Sequence, residues 1–127
     1  MSGLCLGIAF SVIAARVPVQ AFTLAWMHSI EKVRWEEDYR IENNQLVLEM
    51  ARVRGSGAGM EPPEGAVLRH GVYEYRPANV RLSKLSVARS TYTTDYQLCW
   101  NGECKEFKEL VGPPRGGTTE LFPCPSK

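Results

Sequence analysis

Residues 33–42, which read Val-Arg-Trp-Glu-Glu-Asp-Tyr-Arg-Ile-Glu, indicate the fold class of this chain. Hydrophobic residues alternate with charged ones, so that one side of the segment carries Val33, Trp35, Tyr39 and Ile41. A period of two is typical of a β-strand with one buried face, whereas an amphipathic helix requires a period of 3.6. The segment therefore predicts a strand whose other side, with Arg34, Glu36, Asp38, Arg40 and Glu42, is a solvated face.

The same period of two recurs along the chain. Phe22, Leu24 and Trp26 alternate with Thr23 and Ala25, and Leu46, Leu48 and Met50 begin a strand that returns beside residues 33–42. Three turn-forming pairs separate such runs: Asn43-Asn44, His70-Gly71 and Asn101-Gly102. Asn-Gly is the strongest short hairpin signal. The pattern predicts an all-β fold, either an antiparallel β-sandwich or a partly open β-barrel, of about eight short strands.

The length of 127 residues suits one domain. We expect a single β domain over residues 1–111 and a flexible Pro/Gly-rich tail over residues 112–127. Residues 4–15 are largely apolar but too few to span a bilayer as a helix. They are interpreted as parts of two short strands, at residues 4–8 and 12–19. The alternative is the apolar part of a secretory signal, which no Lys or Arg precedes.

The charge composition argues against several classes of partner. Fifteen Lys and Arg residues stand against fourteen Asp and Glu, a formal net charge of +1, and no run of like charges occurs. Binding to nucleic acid or to an anionic membrane surface is therefore not expected. No second Cys/His pair lies at ligand spacing, so no zinc site is expected either. We expect a monomer without a cofactor and without a transmembrane segment.

The four cysteines fall into two possible pairs. A two-residue turn at Asn101-Gly102 places Cys99 opposite Cys104 in a pair whose side chains approach closely, which permits a cross-strand disulfide. Two reduced thiols are the alternative. Cys5 and Cys124 can pair only if the two ends of the chain meet. This use of cysteine favours an oxidising compartment.

Glu37 is the exception on the hydrophobic side of residues 33–42, where it lies between Trp35 and Tyr39. A carboxylate that points inward must be paired, hydrogen-bonded or protonated, because burying it bare costs many kcal/mol. One interpretation is a strand at an edge or on a partly open face, so that Glu37 reaches water or an arginine. The other is a carboxyl group held in a pocket, with a shifted pKa.

A second candidate group follows the strand that contains Trp26. His28, Ser29 and Glu31 lie where that strand ends, and a histidine with a carboxylate can perform acid–base chemistry. The alternative is a structural His28 that hydrogen-bonds a neighbouring loop. Ser29 is not expected to be a nucleophile activated by His28, because adjacent residues of a strand point to opposite faces.

A glycine-rich loop is the third candidate. It contains five small residues: Gly55, Ser56, Gly57, Ala58 and Gly59. Glycine permits positive φ and close approach of a partner, and successive N–H groups of such a turn can form an anion-binding nest. A tight corner between two sheets is the alternative. The loop is not a nucleotide-binding fingerprint, because an acidic residue and two prolines follow it instead of a helix.

Several blocks of the sequence resemble a bacterial family known as domain of unknown function 1850. They are Phe22-Thr23-Leu24, His28-Ser29-Ile30-Glu31-Lys32, Trp35-Glu36-Glu37-Asp38-Tyr39 and Gly55-Ser56-Gly57-Ala58-Gly59-Met60. The resemblance extends over about residues 4–110, including Arg89 and the strand from Asp95-Tyr96 to Trp100. Members are often encoded beside tripartite ATP-independent periplasmic (TRAP) transporters of the TAXI type, and many carry an export signal.

The resemblance implies an accessory role in solute uptake, in the periplasm or cell envelope. Cytoplasm is the alternative, because no charged signal start is present. We expect a non-enzymatic binding module that recognises a small anionic solute, such as a carboxylate, or a transporter subunit. Its site would combine His28, Glu37 and the glycine-loop amides with Ser29, Glu31, Trp35 and Arg89. The alternatives are a hydrolase or isomerase with a His28/Glu37 acid–base pair, or a structural partner subunit.

Overall fold

The structure is a computed structural model that describes residues 3–8, 12–27, 33–54, 65–114 and 117–125. Within these ranges the chain forms twelve strands and one short helix. In chain order they are β1 (Leu4–Ile8), β2 (Val12–Val17), β3 (Ala21–Met27), β4 (Arg34–Glu42), β5 (Gln45–Arg54), β6 (Val67–Arg69), β7 (Val72–Tyr75), β8 (Arg81–Leu82), β9 (Leu85–Ala88), β10 (Gln97–Trp100), β11 (Glu103–Glu106), α1 (Phe107–Val111) and β12 (Thr118–Pro123).

The strands form two antiparallel sheets packed as a sandwich. The larger sheet has the order β11-β10-β3-β4-β5-β7-β6, with β8 also paired to β5, and the smaller sheet has the order β2-β1-β12-β9. Neither sheet closes on itself, so the predicted all-β sandwich is confirmed and the partly open barrel is not formed. The strand count is twelve rather than about eight, because several strands have only two to four residues.

The core lies between the two sheets. The smaller sheet contributes Leu4, Leu6 and Leu121, and the larger sheet contributes Leu24 and Leu98, all fully or almost fully buried. Burying a leucine side chain stabilises a fold by about 1.5–3 kcal/mol, so these contacts hold the sheets together. We call the face of the larger sheet toward this core the inner face and the opposite face the outer face.

The two-residue turns adopt the conformation that the sequence predicts. Asn101 and Gly102 have φ of 52° and 79°, and Asn43 and Asn44 have φ of 51° and 61°. Positive φ at both central positions matches the twist of the flanking strands in a type I′ hairpin. The Asn101-Gly102 turn places Cys99 opposite Cys104, and a disulfide joins the two residues.

Helix α1 replaces part of a predicted strand. The sequence predicts that residues 104–110 continue the hairpin, but β11 ends at Glu106 and a helix begins at Phe107. The side chain of Glu109 accepts a hydrogen bond from the backbone N–H of Glu106 at 3.3 Å, which satisfies a donor at the start of the helix. The fully buried ring of Phe107 anchors the helix to the core.

Residues 118–123, predicted to lie in a flexible tail, form β12 between β1 and β9. Thr119 and Leu121 are buried at a spacing of two, a pattern that the flanking prolines and glycines obscure in the sequence. A disulfide joins Cys124, just after β12, to Cys5 in β1. The strand predicted at residues 4–8 is confirmed, and the strand predicted at residues 12–19 is confirmed over Val12–Val17. The described residues contain no helix of the length and apolarity that crossing a membrane requires.

Candidate functional site

Glu37 lies on the inner face of the larger sheet, in a strand that is not an edge. Strand β4 pairs with β3 on one side and β5 on the other. This register places Glu37 between Leu24 and Ala51, both buried. Residues on the same face of neighbouring strands are in lateral contact. The half-buried Glu37 side chain therefore has a hydrophobic neighbour on each side within the sheet, as its position in the alternating segment predicts.

One hydrogen bond to this carboxyl group comes from its own strand. The hydroxyl of Tyr39 donates to Oε1 of Glu37 at 2.8 Å. Burial raises the pKa of Glu37, the bond from Tyr39 lowers it by a smaller amount, and the net pKa lies above its ordinary value. None of the ion pairs in the described part of the chain includes Glu37. Desolvation without a compensating cation thus disfavours the charged form.

The negative charge of Glu37 affects the pKa values of three tyrosines. Burial raises the pKa of Tyr39, Tyr75 and Tyr96, and the negative charge of Glu37 raises each pKa further. The three residues come from β4, β7 and the segment before β10, so the charge of Glu37 acts on phenol groups of several elements. Because their pKa values lie above 10, all three hydroxyls stay protonated at neutral pH and remain hydrogen-bond donors.

Two tryptophans complete this region. The rings of Trp26 and Trp35 stack with centroids 6.2 Å apart, and the ring of Tyr96 lies 6.0 Å from that of Trp26. Trp35 is two residues from Glu37 on the same face of β4, so the aromatic rings border the carboxyl group. We call this group of residues the Glu37 cluster: Glu37, Tyr39, Tyr75, Tyr96, Trp26 and Trp35.

The cluster lies near the described ends of three strands, β3, β4 and β5. Met27 pairs with Arg34 at the ends of β3 and β4, and β5 ends nearby at Arg54. The predicted residues His28, Ser29 and Glu31 and the glycine loop Gly55, Ser56, Gly57, Ala58 and Gly59 follow β3 and β5 in the chain and lie outside the described residues. Of the predicted site residues, the structure therefore places Trp35, Glu37 and Arg89.

Arg89 lies in a buried ion pair. Its side chain is 3% exposed, and its guanidinium donates to both carboxylate oxygens of Asp95 at 3.1 Å and to the carbonyl of Gly112 at 2.9 Å. Asp95 also accepts a hydrogen bond from the backbone N–H of Tyr96 at 3.0 Å. These bonds give Arg89 a positioning role for Tyr96, while its predicted contact with a ligand stays a prediction.

The outer face of β4 carries a hydrogen-bonded ion-pair network instead of independently solvated charges. The guanidinium of Arg52 donates to both oxygens of Asp38 at 2.6 Å and to Glu36 at 2.9 Å. Arg34 donates to Glu36 at 2.8 Å and to Gln97 at 2.7 Å. Glu36 is only 9% exposed, so the prediction of a solvated face is wrong at this position. Arg52, on β5, joins Glu36 to Asp38 in this network, a role that the sequence pattern does not reveal.

This network shifts the carboxyl pKa values in the direction opposite to that of Glu37. Burial raises the pKa of Glu36, but hydrogen bonds and charges from Arg34 and Arg52 outweigh it, and the net pKa lies below its ordinary value. The pKa of Asp38 is also lowered, since bonds from Arg52 and Thr23 exceed the effect of burial. No group of three metal-ligating side chains occurs among the described residues.

A family model described as domain of unknown function (DUF1850) matches residues 22–107. The chain belongs to this family. The match runs from Phe22, the second residue of β3, through β11 and includes every residue of the Glu37 cluster, but it does not include β1, β2 or β12. It begins at Phe22 rather than near Leu4, so it is shorter at its amino-terminal end than the resemblance seen in the sequence. Neither a curated protein nor a solved structure matches the chain.

Proposed function

We propose that this DUF1850 chain is a non-enzymatic binding module and that the Glu37 cluster is its ligand site. The observation that carries the proposal is a desolvated carboxyl group bordered by tyrosine hydroxyls and stacked tryptophans. Small-molecule sites combine a mostly apolar and aromatic lining with a few convergent polar groups. A carboxyl group whose pKa is perturbed by burial marks such positions more often than ordinary surface positions.

The charge of Glu37 favours a ligand that carries an ammonium group. No described arginine or lysine pairs with Glu37, so a cationic ligand would supply the missing counter-charge. Aromatic faces attract cations by about 0.5–1 kcal/mol at exposed sites and about 2 kcal/mol when desolvated. The anionic solute expected from the sequence would bind beside Glu37 only while the carboxyl group of Glu37 is protonated and therefore uncharged. The two ligand classes therefore have opposite pH dependence.

A role beside a TRAP-type transporter is part of the proposal. It is supported by the resemblance of the sequence to a family whose members are encoded beside such transporters. An accessory protein in the envelope would use the Glu37 cluster to bind a small solute, or a lysine side chain of a transporter subunit. Such a chain would present its ligand without chemical change.

The acid–base enzyme is the second candidate, since a carboxyl group with a raised pKa beside the hydroxyl of Tyr39 suits a general acid. His70, the one histidine among the described residues, lies exposed in the turn between β6 and β7. The acid–base partner in this second candidate would therefore be His28, which lies outside the described residues.

The test uses two probes of matched shape and opposite charge, n-butylammonium and butyrate. Thermal unfolding of the full chain is followed with each probe at pH 5 and pH 8, for the native protein and for Glu37→Gln. Glu49→Gln is the control, because Glu49 is an exposed carboxylate that bonds Arg40 on the outer face. A ligand that binds the folded state raises the unfolding temperature by mass action, so millimolar affinity is detectable at high probe concentration.

We expect n-butylammonium to stabilise the native protein more at pH 8 than at pH 5, and to lose this effect in Glu37→Gln but not in Glu49→Gln. Stabilisation by butyrate at pH 5 instead would assign an anionic ligand to the same site. Equal effects of both probes on all three proteins would contradict the proposal.

A further inference from the structure

The two disulfides of this chain have opposite surroundings. Cys5 and Cys124 are 0% and 5% exposed, at the joined β1 and β12 strands. Cys99 and Cys104 lie on the edge hairpin formed by β10 and β11, where Cys104 is exposed and Cys99 is half-buried. Access of a thiolate to sulfur controls the rate of thiol–disulfide exchange. Only the second disulfide is accessible to a reagent in the folded protein.

A cleft on the outer face lies beside this accessible disulfide. Its volume is about 510 Å³, and both Cys99 and Cys104 line it together with the Asn101-Gly102 turn. The strand register continues the row from Cys99 through Thr23 to Asp38, whose side chains also line the cleft. The cleft therefore gives a thiol compound room to reach the disulfide without unfolding of the hairpin.

A positive charge is held next to the exposed sulfur. Nη2 of Arg34 lies 3.9 Å from Sγ of Cys104 and donates to it. The same guanidinium is oriented by bonds to Glu36 at 2.8 Å and to Gln97 at 2.7 Å. A neighbouring arginine favours the thiolate form of a cysteine, which is both the nucleophile and the leaving group in exchange.

We propose that Cys99–Cys104 is a thiol–disulfide exchange site that reacts with a small-molecule or peptide thiol in the outer cleft. Cys104 forms the mixed disulfide, because it is the exposed sulfur that an external thiolate can reach and because, in the oxidising direction, Arg34 stabilises its thiolate as the nucleophile. Cys99 is the resolving cysteine. This site is on the outer face and does not depend on the Glu37 cluster, so each proposal can fail without the other.

The exchange balances with two equivalents of an external thiol, RSH. The thiolate RS⁻ attacks Sγ of Cys104, the Cys99–Cys104 bond breaks, and its electron pair leaves on Cys99, which takes a proton from water. A second RS⁻ attacks the R sulfur of the mixed disulfide and releases the Cys104 thiolate beside Arg34. The external thiol is oxidised to RSSR and the protein disulfide is reduced to a dithiol. The reverse sequence oxidises the dithiol with RSSR.

The test exposes the folded full chain to dilute reduced glutathione, followed by alkylation and peptide mass spectrometry. We expect Cys99 and Cys104 to be alkylated at least about tenfold faster than Cys5 and Cys124, because the latter pair is buried. Circular dichroism shows whether the sandwich stays folded. Equal reduction of both disulfides, or reduction only on unfolding, would overturn the proposal.

Variants assign the roles of the two sulfurs. In Cys99→Ser, oxidised glutathione is expected to form a stable adduct on Cys104. In Cys104→Ser, an adduct on Cys99 is expected to form several-fold more slowly. Adding Arg34→Gln to Cys99→Ser is expected to slow adduct formation about tenfold at neutral pH, while Arg34→Lys retains most of the rate.

Arg81→Gln in the same Cys99→Ser background is the control, because Arg81 is an exposed arginine of the outer face that bonds Glu42. Its rate of adduct formation should equal that of Cys99→Ser alone. A faster reaction at Cys99 than at Cys104, or equal rates for Arg34→Gln and Arg81→Gln, would contradict the assigned roles.

Discussion

Glu36 and Glu37 are neighbours in one strand with opposite surroundings. Glu36 points to the outer face, where Arg34 and Arg52 donate hydrogen bonds to it and its pKa is lowered. Glu37 points to the inner face, where Tyr39 donates one hydrogen bond and its pKa is raised. For both groups burial is the largest influence and acts in the same direction. The hydrogen bonds and charges of Arg34 and Arg52 are what bring the net pKa of Glu36 below its ordinary value.

The comparison separates a carboxylate that has fixed cationic partners from one that has no described cation, and it is the second that we propose as a ligand site. In the outer network each acidic group has fixed cationic partners, so a ligand would have to displace them. At Glu37 the desolvation of the carboxyl group is not offset by any described cation, and a ligand that brings a positive charge gains that interaction. The following changes break or sharpen this contrast, beginning with the largest expected effect.

Arg52→Met is expected to lower the free energy of unfolding by about 2–3 kcal/mol, because it removes the shared partner of Glu36 and Asp38 from a site where Arg52 is 21% exposed. Arg40→Met is the matched control, since its ion pairs with Glu42 and Glu49 lie at the surface, where water and salt screen them, and its loss of stability should be much smaller. Urea unfolding at pH 7 measures both. Equal losses of unfolding free energy in the two variants would show that the Arg52 network stabilises the fold no more than the surface ion pairs of Arg40.

Glu36→Gln and Glu37→Gln are the matched pair of substitutions on β4. We expect Glu36→Gln to cost about 1–2 kcal/mol at pH 7, because charge-assisted bonds from two arginines become weaker. Glu37→Gln should leave the free energy of unfolding unchanged or raise it, since it removes a desolvated charge and still accepts from Tyr39. A larger loss for Glu37→Gln would invert the contrast between the faces.

The contributions of Glu36 and Glu37 to the free energy of unfolding depend on pH with opposite signs. Glu36 has a folded pKa below 4.5, so its contribution to stability is present above pH 4.5 and is lost as pH falls through the folded pKa. Glu37 has a folded pKa above 4.5, so its ionisation destabilises the fold as pH rises from 4.5 through that pKa. The difference in unfolding free energy between Glu37→Gln and the native protein should therefore increase in favour of the variant from pH 4.5 upward. A difference that stays constant with pH would show that Glu37 is not perturbed.

Tyr39→Phe is expected to lower the free energy of unfolding by about 1 kcal/mol, because one hydrogen bond is lost. It should also raise the pKa of Glu37 further, because the one described bond that lowers this pKa is removed. Tyr75→Phe is the control, since no described hydrogen bond joins Tyr75 to Glu37. Urea unfolding and an NMR titration measure the two quantities, and an unchanged pKa in Tyr39→Phe would contradict the described bond.

Local pattern was sufficient for much of the fold. The period of two in residues 33–42 predicts strand β4 and the inward position of Glu37, because alternation fixes which side chains share a face. The turns at Asn43-Asn44 and Asn101-Gly102 fix two hairpins and the Cys99/Cys104 register. Strand β12 was missed, because Pro and Gly on both sides of it have the composition of a loop.

The candidate site could be predicted only in part, because its partners come from distant segments. The charge of Glu37 raises the pKa values of Tyr96 and Tyr75 because β10 and β7 lie in the same sheet as β4. A single sequence does not encode this strand order locally. Likewise the alternating charges of β4 do not reveal that Arg52 from β5 joins Glu36 to Asp38. The predicted roles of His28 and the glycine loop stay predictions, since these residues lie outside the described part of the chain.

The most direct test of the account is a ¹³C NMR titration of the side-chain carboxyl groups of Glu36 and Glu37 in the native protein, with and without n-butylammonium. The account predicts a pKa above 4.5 for Glu37 and below 4.5 for Glu36. It also predicts that n-butylammonium lowers the pKa of Glu37 and leaves that of Glu36 unchanged, because a bound cation favours the ionised carboxyl group. A pKa of Glu37 at or below 4.5, or one that the ammonium probe does not change, would contradict the proposal that this carboxyl group is a ligand site.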